Sequence, residues 1–407
     1  MCAIFCIFGG TSEANLKGYH MSLSLRATQY NLRRATKKAC TIAGKHYFVF
    51  MSINILSTES GASYGMIAKS VYDNNGWVNA QTFFDDPATF VVVCGGRGIG
   101  KTFNVLKYTL DNQIKFVYVR RTQEQINAVK LPVLNPFKKI NDVCGYHIGV
   151  GSIGKNVAGF YNCVEDKGEY KISGAPVGIG LALSTFASIR GIDGSDYELL
   201  LFDEFVPEKH ERPIKAEEEA FLNAYETLNR NREFDGQPPL KCILLSNAND
   251  LNSAILHAIG ARDLLDEMIR KKQQYKNVGA LSIYRLIDSP VSERKKKTAL
   301  YQVAKNKDFR RMSIENEFSE SNYENVEVKP INEYKPLVSI GEITVYEHKS
   351  DSSYYVVPGI KSKIRFTILP NDVKSFRRHY WYLYEAILNK SIAYATAPVK
   401  IDFEGLW

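Results

Sequence analysis

Through the first three quarters of the chain, continuous apolar runs of strand length alternate with stretches of helical periodicity. "FVVVC" (Phe90 to Cys94), "IKFVYVRR" (Ile114 to Arg121), "LLLF" (Leu199 to Phe202) and "KCILLSNAN" (Lys241 to Asn249) are such runs. They read as strands covered on both faces. Between them, "FNVLKYTLDN" and "EEEAFLNAYETLNRNREF" repeat apolar residues at helical spacing. The alternation predicts an α/β fold with a mostly parallel sheet. Past about residue 325 the period drops to two. "LVSIGEITVYEHK", "SSYYVVPG" and "KIRFTIL" predict antiparallel strands, and "VKSFRRHYWYLYEAILN" a following helix, which together make a small α+β domain. A short helix is expected over residues 62–80.

The turn after the first run reads "CGGRGIGKTFN", which fits G-x-x-x-x-G-K-[ST]. Gly95, Gly96, Arg97, Gly98, Ile99, Gly100, Lys101 and Thr102 form the expected ATP-binding loop. Glycines let backbone N–H groups turn toward an anion, and the following helix adds its positive end. Lys101 is expected at the β- and γ-phosphates, and the Thr102 hydroxyl on Mg²⁺. About a hundred residues later a strand ends in "LLFDEF". There Asp203 is the expected second metal group and Glu204 the residue that polarises an attacking water. That pair favours hydrolysis over phosphoryl transfer.

In open α/β sheets, functional groups collect at the carboxyl ends of strands. Arg120, Arg121, Ser246 and Asn247 are predicted there. Ser246 and Asn247 are candidate γ-phosphate sensors, with a plain turn as the alternative. Arg120 and Arg121 are candidates to face phosphate, DNA or a neighbouring subunit. Arg230 and Arg232 close the long helical stretch, where they either cap the helix dipole or reach a neighbour's nucleotide.

The formal charge is +8 over 407 residues, a weak pointer to a polyanionic partner. The seven cysteines (2, 6, 40, 94, 144, 163 and 242) contain no C-x-x-C pair, so neither a zinc ribbon nor a disulfide framework is suggested. No apolar run approaches the ~20 residues of a membrane helix, and a reducing cytoplasm fits best. The opening "MCAIFCIF" lacks a basic flank, and residues 1–60 read as a basic arm or a mis-extended start.

The order "GGRGIGK", "FVYVRR", "LLFDEF", "LNRNRE", "CILLSNA", continuing through "SERKKKT" and "MSIENEF", resembles the DNA-packaging ATPases of small short-tailed phages with protein-primed linear genomes. These are terminase-like motors of the additional-strand P-loop ATPase superfamily. The resemblance covers roughly residues 85–320. It implies an ATPase domain over 61–255, a basic lid or linker over 256–325, and over 326–407 a domain resembling the RNase H fold without its metal site. By position it implies Lys101, Thr102, Asp203 and Glu204 as the loop and acidic-strand machinery. Arg230 falls at the place of the family's trans-acting finger, with Arg232 as fallback. It further implies ATP and Mg²⁺, and a homomeric ring, generally a pentamer, on the portal vertex of a procapsid in the host cytoplasm. That ring would drive double-stranded DNA inward, and a packaging RNA or genome-end protein is a further candidate partner. The strand continues "RRTQEQ", so no further basic residue follows the arginine pair.

A motor indifferent to sequence must contact DNA through phosphates. Residues 262–311 hold 14 Lys/Arg against 6 Asp/Glu. Lys271, Lys272, Lys295 and Lys296 are candidates there, with a solvated helix face as the alternative. Lys155 and Arg190, in "GVGSIGKNVAG" and "ASIRGIDGSD", are candidate pore-loop cations, with ordinary surface loops as the alternative. In the last domain Glu342, Glu347 and Asp351 are the only acids near the first hairpin, so nuclease activity is not expected. Arg377, Arg378, His379 and the aromatics around Trp381 suit nucleic acid or the portal, although core packing explains "YWYLY" better. Two other function classes remain: a helicase- or nuclease-type ATPase, and a nucleotide-gated scaffold.

Overall fold

The computed structural model describes residues 39–42, 45–48, 71–189, 193–208, 211–247, 250–315, 318 and 320–407. Contacts divide the chain into Met1–Tyr64 and Gly65–Trp407. In the first unit, β1 (Ala39–Ile42) and β2 (Lys45–Phe48) pair as an antiparallel hairpin. The remainder of the basic arm lies outside the described residues. So does the start of the helix expected over 62–80; its described part instead forms a turn bridged between Tyr72 and Val78.

The second unit is organised by a ten-stranded sheet. Its strands are β3 (Phe90–Gly95), β4 (Phe116–Arg120), β5 (Ile148–Gly154), β6 (Val157–Asp166), β7 (Glu169–Ile172), β8 (Gly178–Ala182), β9 (Leu199–Asp203), β10 (Lys241–Ser246), β11 (Tyr275–Val278) and β12 (Leu281–Leu286). They lie in the order β11-β12-β3-β10-β9-β4-β8-β6-β5, with β7 on β6. From β12 to β8 every pairing is parallel, as the continuous apolar runs predicted. The two strands β11 and β12 come from the stretch expected as a lid or linker.

Both faces of this sheet are covered because each strand sends alternate residues to opposite sides. Val91, Val93, Leu199, Leu201 and Ile243 pack with Val105 and Leu106 of helix α1 (Lys101–Asp111). Val92, Leu200 and Leu244 pack with Phe221 and Leu228 of α2 (Glu217–Asn229) and with Leu265 and Met268 of α3 (Ala261–Arg270). Residues 149–159, expected as a loop, are mostly strand: the β5–β6 hairpin turns at Lys155 and Asn156.

The smaller sheet contains β13 (Tyr334–Ile340), β14 (Ile343–His348), β15 (Tyr354–Pro358), β16 (Arg365–Phe366) and β17 (Ile392–Tyr394), in the order β16-β13-β14-β15-β17. The first three form the expected antiparallel meander. "KIRFTIL" does not continue it: two residues pair, and in parallel with β13. The expected helix is two, α4 (Pro370–His379) and α5 (Trp381–Leu388), divided at Tyr380, whose φ of −116° is not helical. "YWYLY" splits accordingly, with Leu383 buried while Trp381 and Tyr384 are exposed. The last helix, α6 (Ala397–Glu404), is tied to α3 by a bidentate pair, Arg262 donating to Asp402 at 2.7 and 2.8 Å.

Candidate active site

Parallel pairing in register brings the carboxyl ends of three strands together: Ser246 lies beside Cys94, and Leu245 beside Asp203. Strand β10 therefore stands between the loop strand β3 and the acidic strand β9, an order that agrees with the resemblance to the additional-strand ATPases. A cleft of about 340 Å³ opens at this edge. It is walled by Arg97, Gly98 and Gly100–Phe103, by Asp203 and Glu204, and by Leu245–Asn247.

The loop needs its glycines. Gly98 and Gly100 have φ of +66° and +90°, and a Cβ on Gly95 would lie 2.7 Å from that of Leu286. Lys101 is buried and donates to the carbonyls of Gly95 (3.0 Å) and Gly96 (2.7 Å) and to Asn247 Oδ1 (3.3 Å). Burial lowers its ammonium to about 8, against the pull of Asp203, Cys94 and Glu204 in the other direction. A cation so poorly solvated gains strongly from an anion. Thr102 donates its hydroxyl to Asp203 Oδ1 at 2.8 Å. A hydroxyl and a carboxylate in contact are hard oxygen donors that suit Mg²⁺ beside a triphosphate.

Asp203 is fixed from its other side. Its Oδ2 accepts from the Tyr118 hydroxyl at 2.8 Å and from Arg120 at 3.1 Å. The same guanidinium donates to Glu204, whose side chain is half exposed at the cleft mouth and whose backbone has φ of +53°. Arg120 thus serves the carboxylate pair. Arg121, in contrast, faces neither phosphate nor surface: it is fully buried and bonded to Glu217 (2.7 and 3.3 Å) and Glu211 (2.8 Å). Tyr118 escaped notice in the sequence, although its place two residues before Arg120 on one strand face would have found it. Two further groups flank the loop unpredicted. Glu208 pairs with Arg97, and Trp77 packs on Gly100 with Arg294 5.8 Å above its ring.

The remaining candidates disperse. Asn247 touches the loop lysine, but Ser246 is buried and turns its hydroxyl to Cys94 Sγ at 3.4 Å. Arg230 ends α2 half exposed, 3.7 Å from Asp193. Arg232 is buried in its own chain, its guanidinium donating to the carbonyls of Gly194, Ser195 and Tyr197, so it is no reaching finger. Lys295 lies against the glycine loop and donates to the Arg97 carbonyl. Lys271 pairs with Glu267 (2.6 Å) and Lys296 with Glu293 (2.5 Å), both partly neutralised on the surface. Lys272 and Lys155 are exposed, and Arg190 lies outside the described residues.

The family profile described as "Podovirus DNA encapsidation protein (Gp16)" matches residues 69–341. The DNA packaging protein of Bacillus phage B103 is 27% identical over 244 residues, 58% of this chain and 65% of that protein. The DNA packaging protein of Bacillus phage phi29 is 25% identical over 252 residues, 60% of this chain and 67% of that one. The chain thus spans about two thirds of the length of these curated relatives. Two solved structures share the fold. One is the bacteriophage Phi-29 viral genome packaging motor assembly (TM-score 0.56, 18% identity, 81% of this chain and 98% of that one). The other is the Phi-28 gp11 DNA packaging motor (TM-score 0.53, 18% identity, 81% and 96%). With a loop, an acidic strand and an inserted strand meeting at one sheet edge, and with two thirds of its length matched, this chain belongs to the Podovirus DNA encapsidation protein (Gp16) family.

Proposed function

We propose that this chain is an ATP-driven translocase that packages double-stranded DNA into a procapsid. The observation that carries the reading is the convergence of Lys101, Thr102, Asp203 and Glu204 on one cleft, in a chain of the encapsidation family. Lys101 leaves its carbonyl partners for the β- and γ-phosphates. Thr102 and Asp203 would hold Mg²⁺, which when bound would supply charge neutralisation at the phosphates. Glu204 orients the attacking water, and Arg120 sets how far its carboxylate is free to do so. Asn247, already on Lys101, is the group placed to register loss of the γ-phosphate.

The exposed Arg230 is the residue for a trans contact, which requires a homomeric ring, a pentamer on the family pattern. We place this ring on the portal vertex in the host cytoplasm, with a packaging RNA or genome-end protein as further partners. Residues 326–407 serve as a docking domain without nuclease chemistry.

The test is ATP hydrolysis by the purified chain with and without long duplex DNA, and with single-stranded DNA and RNA as competitors. Stimulation by duplex that disappears in Lys101→Ala supports the motor. Hydrolysis indifferent to duplex, even with portal-bearing procapsids present, would leave a gated scaffold. Mixing Arg230→Ala with Lys101→Ala subunits should restore part of the hydrolysis, because some interfaces then pair two intact halves. No recovery at any ratio removes the trans finger.

A further inference from the structure

Strand β12 runs parallel to β3 and ends with Leu286 beside Gly95. The segment that follows is fastened to the neighbourhood of the phosphate loop at several points. The Ile287 carbonyl accepts from the Tyr72 hydroxyl at 2.9 Å, and Arg294 donates to the Asn75 carbonyl at 2.6 Å. Next to it, the Lys295 ammonium donates to the carbonyl of Arg97, at the apex of the loop. That ammonium also lies 5.4 Å from the ring centroid of Tyr301, a buried residue. Lys295 is not part of the cleft wall, whereas Gly98 is.

A trans peptide is planar, so the carbonyl of Arg97 and the N–H of Gly98 point in opposite directions. Whatever holds that carbonyl outward aims that N–H inward. The peptide needs holding, because Gly98 (φ +66°) has no side chain to stop it from turning over. Lys101 grips the carbonyls of Gly95 and Gly96 but must let go to meet a phosphate. Lys295 has no such second task.

We propose that Lys295 is a positioning residue of the nucleotide site, holding the Arg97 carbonyl so that the Gly98 N–H stays aimed at the phosphates. The inference rests on the ATP-binding reading above. It also assigns the lysine run 295–297 two unlike roles, since Lys296 pairs with Glu293 on the surface.

Displacement of a fluorescent ATP analogue by ATP and by AMP, on the full chain, tests it. Lys295→Met should weaken ATP about ten-fold while AMP changes less than about two-fold, because one charge-assisted contact to the loop is lost. Lys295→Arg should recover most of the preference, since a guanidinium donates to the same carbonyl, and Lys296→Met should change nothing. Should Lys295→Met not fold, Lys295→Gln, which keeps a neutral donor, should show an intermediate loss. Equal weakening of ATP and AMP, or no weakening in a variant that melts like the wild type, overturns the inference. ATP binding that is abolished by Lys101→Ala but unmoved by Lys295→Met overturns it while leaving the ATP reading intact. ATP binding that ignores Lys101→Ala overturns that reading, and this inference with it.

Discussion

The two sheets of the larger unit handle their charges in opposite ways. At the carboxyl edge of the parallel sheet, Lys101, Asp203 and Arg120 are buried or nearly so; Arg120 and Thr102 donate to Asp203, and Lys101 donates to Asn247. On the five-stranded sheet the acids are separate and near the surface. Glu347 pairs with Lys335 at 3.1 Å, and Asp351 with His348 at 3.2 Å. Val338, Val345, Val356 and Phe403 provide its core instead. Charges withheld from water are the ones a charged ligand rewards, which supports the proposal that the chemistry is carried by the first sheet.

The largest break in this contrast comes from Lys101→Ala, which should lower hydrolysis by at least about a thousand-fold by removing the loop cation. Glu204→Gln should lower turnover about a hundred-fold or more while ATP binding persists, as single-turnover and binding assays will show. Arg121→Met tests whether burial of charge also holds the first sheet together. It strands Glu217 without its partner and should cost about 3–5 kcal/mol in denaturant melts.

A smaller effect is one of pH. Below pH 8 the loop lysine is charged, and it loses its proton as pH rises through about 8. ATP affinity should therefore fall above pH 8, by up to about ten-fold per unit. Fold stability takes the opposite sign. Between 8 and the ordinary 10.5 the unfolded chain holds the extra proton, so this group adds stability as pH rises through that window. Lys241, lowered to about 8 by burial at the far end of β10, should share the stability trend without touching affinity. Least of all, joint replacement of Glu342, Glu347 and Asp351 by Ala should leave hydrolysis within about two-fold.

What could be read in the sequence was what is local or periodic. The phosphate loop is contiguous, and strands covered on both faces announce themselves as unbroken apolar runs. The acidic strand was found because it ends in its own chemistry. Contacts between distant segments were not legible. Nothing in "RR" tells that Arg120 meets Asp203 while Arg121 is sealed against Glu217. Nothing in "RNR" tells that Arg232 is buried against the carbonyls of Gly194, Ser195 and Tyr197 while Arg230 stays half exposed beside Asp193. In "KKK" the phase of a short helix decides which lysine meets the loop. The antiparallel hairpin at 149–159 was hidden because its glycines read as loop, yet Gly149, Gly151 and Gly159 leave room for Cys163 and Tyr161.

Glu204 sits in a left-handed backbone conformation that glycine or asparagine adopts more cheaply, by about 1 kcal/mol. A library of this protein screened for heat resistance alone should therefore enrich glycine or asparagine at 204. Its hardiest survivors would be its idle ones.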